Sequence, residues 1–316
     1  MTAEITGRKA ITIINSIVNL MVLTIIMMVT AFAGYALWDS KQIYQAADKS
    51  QYAVYKPQAA DGGKSFKELQ AINDEVFAWL SVYGTNIDYP VTQGPDNMKY
   101  VNTNAEGLYS LSGAIFLDYQ NSRNFSDFNS ILFGHHMEKK TMFGEIGDFS
   151  DKNMFDTHLY GNLYYDELDH GIEFFAFIHT DAYDHAVFTS NVSSDREQEY
   201  LDGLLRKAMY SRDIDITIED RIILLSTCSS DSTNGRDILI GRLTDEVFED
   251  PFTGTDTDNM KEQLNVDSLS GRLQSILPWL MTPILILLLI LVLRSASRKR
   301  ARSEANNRRK GGIKQI

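Results

Sequence analysis

The most reactive side chain in this sequence is also the rarest. Among 316 residues there is one cysteine, Cys228. It closes the apolar run RIILLST and opens the polar run SSDSTNG. The first run reads as a buried strand and the second as an exposed turn. A thiol at that junction is rigidly held and still reachable. A lone free cysteine is more often a small core residue, and the polar run argues against that role here.

A thiol reacts as its thiolate, and a reference pKa of about 8.5 leaves little thiolate at neutral pH. Histidine and a cation are the usual helpers. Of the six histidines, His135 and His136 stand out because they follow the apparent strand SILFG. His158, His170, His179 and His185 lie in polar or loop contexts and read as surface residues. Arg236 opens the apparent strand DILIG, which would run back alongside the Cys228 strand. Its guanidinium would then reach a carbonyl oxygen under attack. Arg242 falls six residues later, near the far end of that strand. One cysteine excludes an intramolecular disulfide and a Cys-rich metal site. Asp256 and Asp258 in TDTDN fall well short of a calcium loop, so neither metal nor cofactor is expected.

Short apolar runs between turn residues must hold these groups: NIDYPV, GAIFLDY, SILFG, IEFFAFI, DIDITI, RIILLST and DILIGRL. They predict strands. A helix is expected from Ser65, with Glu68 completing a capping box and Phe66, Leu69, Ile72, Val76 and Trp79 at roughly helical spacing. A second helix is expected over 195–210, with Ser194 and Glu197 as its capping box. Many strands and few helices predict a mainly β barrel or sandwich with helical decoration.

The flanks differ in kind. Residues 11–38 and 273–293 carry no charge and are each long enough to cross a bilayer. Ala31-Phe32-Ala33 resembles a signal cleavage site, but the apolar stretch exceeds a signal h-region of about 7–15 residues, so an uncleaved anchor is favoured. Residues 294–316 hold nine basic residues against Glu304, a net +8, and residues 1–10 carry +1. By the positive-inside rule both ends are cytoplasmic, and residues 39–293 carry −21 of a total of −12. The expected order is a cytoplasmic N-terminus (1–10), a transmembrane helix (11–38), an extracellular stalk (39–65), a catalytic domain (66–250), a linker (251–272), a second transmembrane helix (273–293) and a basic cytoplasmic tail (294–316). The protein is thus a two-span protein of the cell membrane with its domain outside. The basic tail suits anionic lipid; the acidic total argues against nucleic acid.

LLSTC followed eight residues later by Arg236 resembles the sortase signature, a TLxTC strand with a downstream Arg, with Leu224 where Thr is usual. GHHM at 134–137 resembles that family's histidine motif, in which the catalytic histidine directly follows glycine; here that is His135. FKELQAINDEVFAWL, GTNIDYPVTQGPDNMKY, GAIFLDYQN, FSDFNSILFGHHM and MFGEIGDF resemble class B sortases in order and spacing, over roughly residues 66–245. The resemblance implies a closed eight-stranded β-barrel and a membrane-anchored cysteine transpeptidase of a Gram-positive-type cell surface. Cys228 would attack a C-terminal sorting signal of a secreted protein and form a thioester. An amine of the peptidoglycan precursor, or a pilin lysine, would resolve it. His135 would be the general acid and base, Arg236 would stabilise the oxyanion or hold substrate, and Thr227 and Ser226 would line the site. A C-terminal span is more typical of pilus-building class C sortases, whose Asp-Pro-aromatic lid is missing from 39–65. Asp250-Pro251-Phe252 lies after the barrel and reads as linker. A cysteine hydrolase and a non-catalytic binding module are the competing readings.

Overall fold

The computed structural model describes residues 2–57, 64–137, 139–228 and 234–253. The second apolar span, the basic tail, the TDTDN segment and most of the polar run after Cys228 lie outside the described residues.

Helix α1 (Thr2–Ala46) contains the first apolar stretch. Among the described residues it is the one helix long and apolar enough to cross a membrane. Its hydroxyls are satisfied internally: Ser16, Thr24 and Thr30 donate to the carbonyls of Thr12, Leu20 and Ile26 at 2.9, 2.9 and 2.8 Å. That is the arrangement a helix needs where water is excluded.

The residues after α1 form no free stalk. Two 3-10 turns, Lys49–Gln51 and Ala53–Tyr55, follow it. Ala47 and Tyr52 are buried in the main core, and Lys56 pairs with Asp88 at 2.8 Å. The next helix, α2 (Lys64–Ile72), buries Phe66 and Leu69. It is shorter than the apolar spacing predicts. Asn73 ends it by accepting from the Glu75 amide and donating to Tyr100 and the Ala105 carbonyl. Ser65 lies inside this helix, and its hydroxyl donates to the Lys56 carbonyl at 3.1 Å. Val76 and Trp79 belong to a strand, β1 (Val76–Val82).

The remaining elements are β2 (Asp88–Thr92), β3 (Ile115–Leu117), β4 (Asn129–Phe133), α3 (Lys152–Thr157), β5 (Tyr160–Tyr165), β6 (Leu168–Asp181), α4 (Glu197–Lys207), β7 (Tyr210–Ser211), β8 (Arg221–Cys228) and β9 (Gly235–Thr244). The sheet order is β5-β1-β2-β3-β4-β8-β9-β6-β7, and β5 also pairs with β6. That second pairing closes eight strands into a barrel, with the two-residue β7 attached outside. The expected barrel is therefore present. The DIDITI segment is not one of its strands: Asp215 has φ 53°, which breaks the extended run, and Ile214 and Ile216 pack as side chains against the outer core. α4 starts without the expected capping box; Arg196 holds the cap position and makes no side-chain cap bond.

Strand alternation sorts β8 between two cores. Ile223 and Leu225 join the barrel interior. Ile222 and Leu224 face outward, where Tyr200, Leu201 and Leu204 of α4 cover them. A strand buried on both faces reads as a continuous apolar run, which is what RIILL is. The chain after β9 returns to the barrel: Phe248 stacks on Tyr160 at 4.1 Å and Phe252 on His158 at 4.7 Å.

Candidate active site

β4 and β8 are parallel neighbours, and β9 runs antiparallel beside β8. The C-terminal ends of β4 and β8 and the start of β9 therefore meet at one end of the barrel. Phe133 pairs with Ser226 in the last β4–β8 rung. His135 and Cys228 each lie two residues past that rung, on strands spaced about 4.8 Å apart. Cys228 pairs directly with Arg236 across β8 and β9. Cys228, Arg236 and the sequence-distant His135 thus occupy three adjacent strand ends.

Gly134 brings β4 into its turn. Its amide donates to the Ser226 carbonyl at 3.2 Å. A Cβ there would come within 2.5 Å of Ile115 Cδ1 and 2.8 Å of the Phe143 ring, so only glycine fits before His135. The His135 imidazole is half-buried, with Nε2 2.8 Å from the Val101 carbonyl oxygen. A carbonyl only accepts, so Nε2 carries a proton and donates. In the neutral ring Nδ1 is then the acceptor nitrogen. The adjacent His136 bridges to Met142 instead; its Nδ1 is buried with no hydrogen-bond partner among the described residues.

Arg236 is half-buried and donates to the Gly235 carbonyl at 2.8 Å. Among the described residues no carboxylate forms an ion pair with it. Arg242 pairs with Glu173 at 2.5 Å and also donates to the Ile214 carbonyl, at the other end of β9. Ser226 and Thr227 are 1% and 2% exposed. Neither hydroxyl has a hydrogen-bond partner among the described residues. They lie on opposite faces: Ser226 is in phase with Leu224 and pairs with Ile238, on Arg236's side of β9. Thr227 is in phase with Leu225 and pairs with Asp237.

Three further features have no motif behind them. The Val101 carbonyl is backbone, so no residue type announces it. Asp237 is buried beside Arg236 and bonds His179 Nδ1 at 2.8 Å. Of the other histidines expected at the surface, His170 is buried and stacked on Tyr165 at 4.0 Å, and His158 is stacked under Phe252. Phe252 is distant in sequence from His158, and Tyr165 meets His170 only because β5 and β6 pair, so local polarity misjudged both.

No family model matches the chain. It is 30% identical over 183 residues to sortase B of Staphylococcus aureus, covering 56% of this chain and 74% of that protein. The crystal structure of sortase B from the type II pilus of Streptococcus pneumoniae superposes with a TM-score of 0.51 at 46% identity, covering 57% of this chain and 99% of that one. A class B sortase involved in pilus biogenesis in Streptococcus pyogenes superposes with a TM-score of 0.53 at 42% identity, covering 56% and 97%.

Proposed function

This chain belongs to the sortase family, and from that premise we propose that it is a membrane-anchored transpeptidase whose nucleophile is Cys228. The observation that carries the reading is the register: Cys228 paired with Arg236, and His135 at the end of the parallel neighbour.

The Cys228 thiol gives its proton to His135 Nδ1; the thiolate attacks a backbone carbonyl in the sorting signal of a secreted protein, and the electron pair moves to oxygen. Arg236 stabilises that oxyanion, a service worth most where water is excluded. The C–N bond then breaks, His135 Nδ1 protonates the departing amine, and a thioester remains. An incoming amine attacks the thioester, gives its proton to His135 Nδ1, and expels the Cys228 sulfur as a new amide forms. The Ser226 and Thr227 hydroxyls, without a partner among the described residues, lie on opposite faces of the strand end where substrate backbone would bind. Nothing in this sequence of steps calls for a metal or cofactor.

The first reading of the acceptor is an amine of the peptidoglycan precursor. The second, a lysine amine on a pilin, is favoured by one observation: the relatives at 46% and 42% identity are pilus sortases. We further read α1 as an uncleaved anchor, 273–293 as a second span, and the barrel as extracellular.

The test is mass spectrometry of the acyl-enzyme formed from a library of sorting peptides, followed by release with either amine. A thioester on Cys228 that is absent in Cys228→Ala supports the assignment, and retained capture by Cys228→Ala sinks it. Preferential release by one amine names the acceptor, while release by water alone makes the protein a hydrolase.

A further inference from the structure

The loop from Gly134 to Glu145 carries His135, and it is held in an unfavourable backbone shape. Lys140 and Met142 sit at φ 56° and 54°, the left-handed region that non-glycine residues avoid. Internal bonds fold it on itself: Phe143 N to His135 O at 3.0 Å, Lys140 N to Met137 O at 3.0 Å, and Gly144 N to Thr141 O at 2.9 Å. The Met142 amide points elsewhere and donates to the Tyr89 hydroxyl at 3.1 Å.

That hydroxyl has a second partner. It donates to the carbonyl of Ala47 at 2.8 Å, and Ala47 immediately follows α1, its own amide bonded to Ile43 O. Tyr89 is 1% exposed, and burial pushes its phenol up, so it stays a neutral donor and acceptor across the working pH range. Two contacts outside the core span the same seam. Lys139 Nζ lies 4.4 Å from the Tyr44 ring centroid, and Met137 faces Tyr35, Ala36, Ile43 and Tyr44 across a shallow cavity. The outer turns of α1 are therefore joined to the His135 loop at three points, of which one is a buried hydroxyl with both bonds made.

We propose that Tyr89 is a positioning residue for His135: its hydroxyl locks the outer end of α1 to the His135 loop, so that seating of the membrane-length helix on the barrel sets the place of the imidazole. The inference rests on His135 being the proton carrier. It adds that the helix is part of the catalytic apparatus as well as an anchor. The conserved shape of Tyr89→Phe makes the test clean, since the ring stays and only the two bonds go.

The experiment uses the full chain in detergent or lipid discs, with thioester formation and amine transfer measured across pH. Tyr89→Phe is expected to lower kcat by roughly tenfold with KM little changed, since small misplacements of a catalytic group carry such penalties. It should also shift the limb of the pH–rate profile that His135 governs. Leu163→Ala on β5, four strands from β4 in either direction around the barrel, is the control that loosens the core while leaving both Tyr89 hydroxyl bonds in place; its kcat and profile should stay at wild-type values. Lys139→Ala removes only the surface contact and should lower kcat roughly twofold, which keeps the test open should Tyr89→Phe fold poorly. Wild-type kcat and pH profile in Tyr89→Phe and Lys139→Ala, or an equal kcat loss in Leu163→Ala, overturns the proposal. Wild-type turnover in His135→Ala would strike the assignment of His135 itself, and so is read separately.

Discussion

Arg236 donates to one carbonyl and pairs with no acid among the described residues, while Arg242 on the same strand is tied to Glu173. Among the described residues the Arg242 charge is compensated by Glu173 and the Arg236 charge is not. For that reason Arg236→Ala is expected to reduce kcat/KM by about 100- to 1000-fold, or ~2.7–4 kcal/mol of transition-state stabilisation. Arg236→Lys should recover only part of it, because an ammonium lacks the planar fork. Thioester capture and amine transfer on the folded variants decide this; activity of Arg236→Ala within threefold of wild type would remove Arg236 from the chemistry. That the strand opened by this arginine would run back beside the Cys228 strand was legible in the sequence; its direct pairing with Cys228 came from the fold. The bond from His135 to the Val101 carbonyl was not legible either. Any residue supplies a carbonyl, so only the fold could reveal which nitrogen of His135 that carbonyl engages.

At the scale of elements, β1 is the instructive case. Phe66, Leu69, Ile72, Val76 and Trp79 are spaced as a helix would space them, yet the helix stops at Ile72. β1 is buried on nearly every position, so it lacks the alternation that marks a half-exposed strand. Its partner β2 supplies Asp88, whose carboxylate accepts from Trp79 Nε1 at 2.8 Å and Ser81 Oγ at 2.7 Å and pairs with Lys56. Burial alone would raise this carboxyl, but Lys56 and the two hydrogen bonds outweigh it and hold it below its ordinary value. A depressed carboxyl contributes stability above its unfolded pKa of about 3.9 and loses that contribution as pH falls through the lower folded value. Asp88→Asn should therefore cost about 2 kcal/mol at pH 7. The gap in Tm from wild type should shrink as pH drops below about 4. A gap that stays constant from pH 7 to pH 3 would show that the carboxylate charge is not what fastens Lys56 and β1 to β2. The same staple explains why the segment after α1 is no stalk: Ala47, Tyr52 and Lys56 all have partners on the barrel, and those partners lie more than thirty residues downstream, beyond the reach of local pattern.

The whole molecule is organised by charge and by length. Residues 11–38 are free of charge over 28 positions, about 42 Å of helix at 1.5 Å per residue, which exceeds a hydrocarbon core of about 30 Å. The helix runs on to Ala46, eight residues past the uncharged stretch, and these last turns lie beside the His135 loop. Beyond the barrel the 273–293 stretch repeats the apolar pattern, and the tail adds a net +8. On the positive-inside rule the proposed topology keeps this tail in the cytoplasm and would make the barrel an external domain held by its chain at both ends. The single cysteine makes the topology testable with little disturbance. In a Cys228→Ala background, cysteine placed at the exposed Ser126 should react with a membrane-impermeant maleimide on intact cells. Cysteine placed at Ser303 or Thr2 should react only after the membrane is opened. Labelling of Ser303→Cys from outside would leave α1 as the single span and put the basic tail on the same side as the barrel. The acidic domain would then carry its own counter-charge, and the tail could no longer act on the anionic lipid of the inner leaflet.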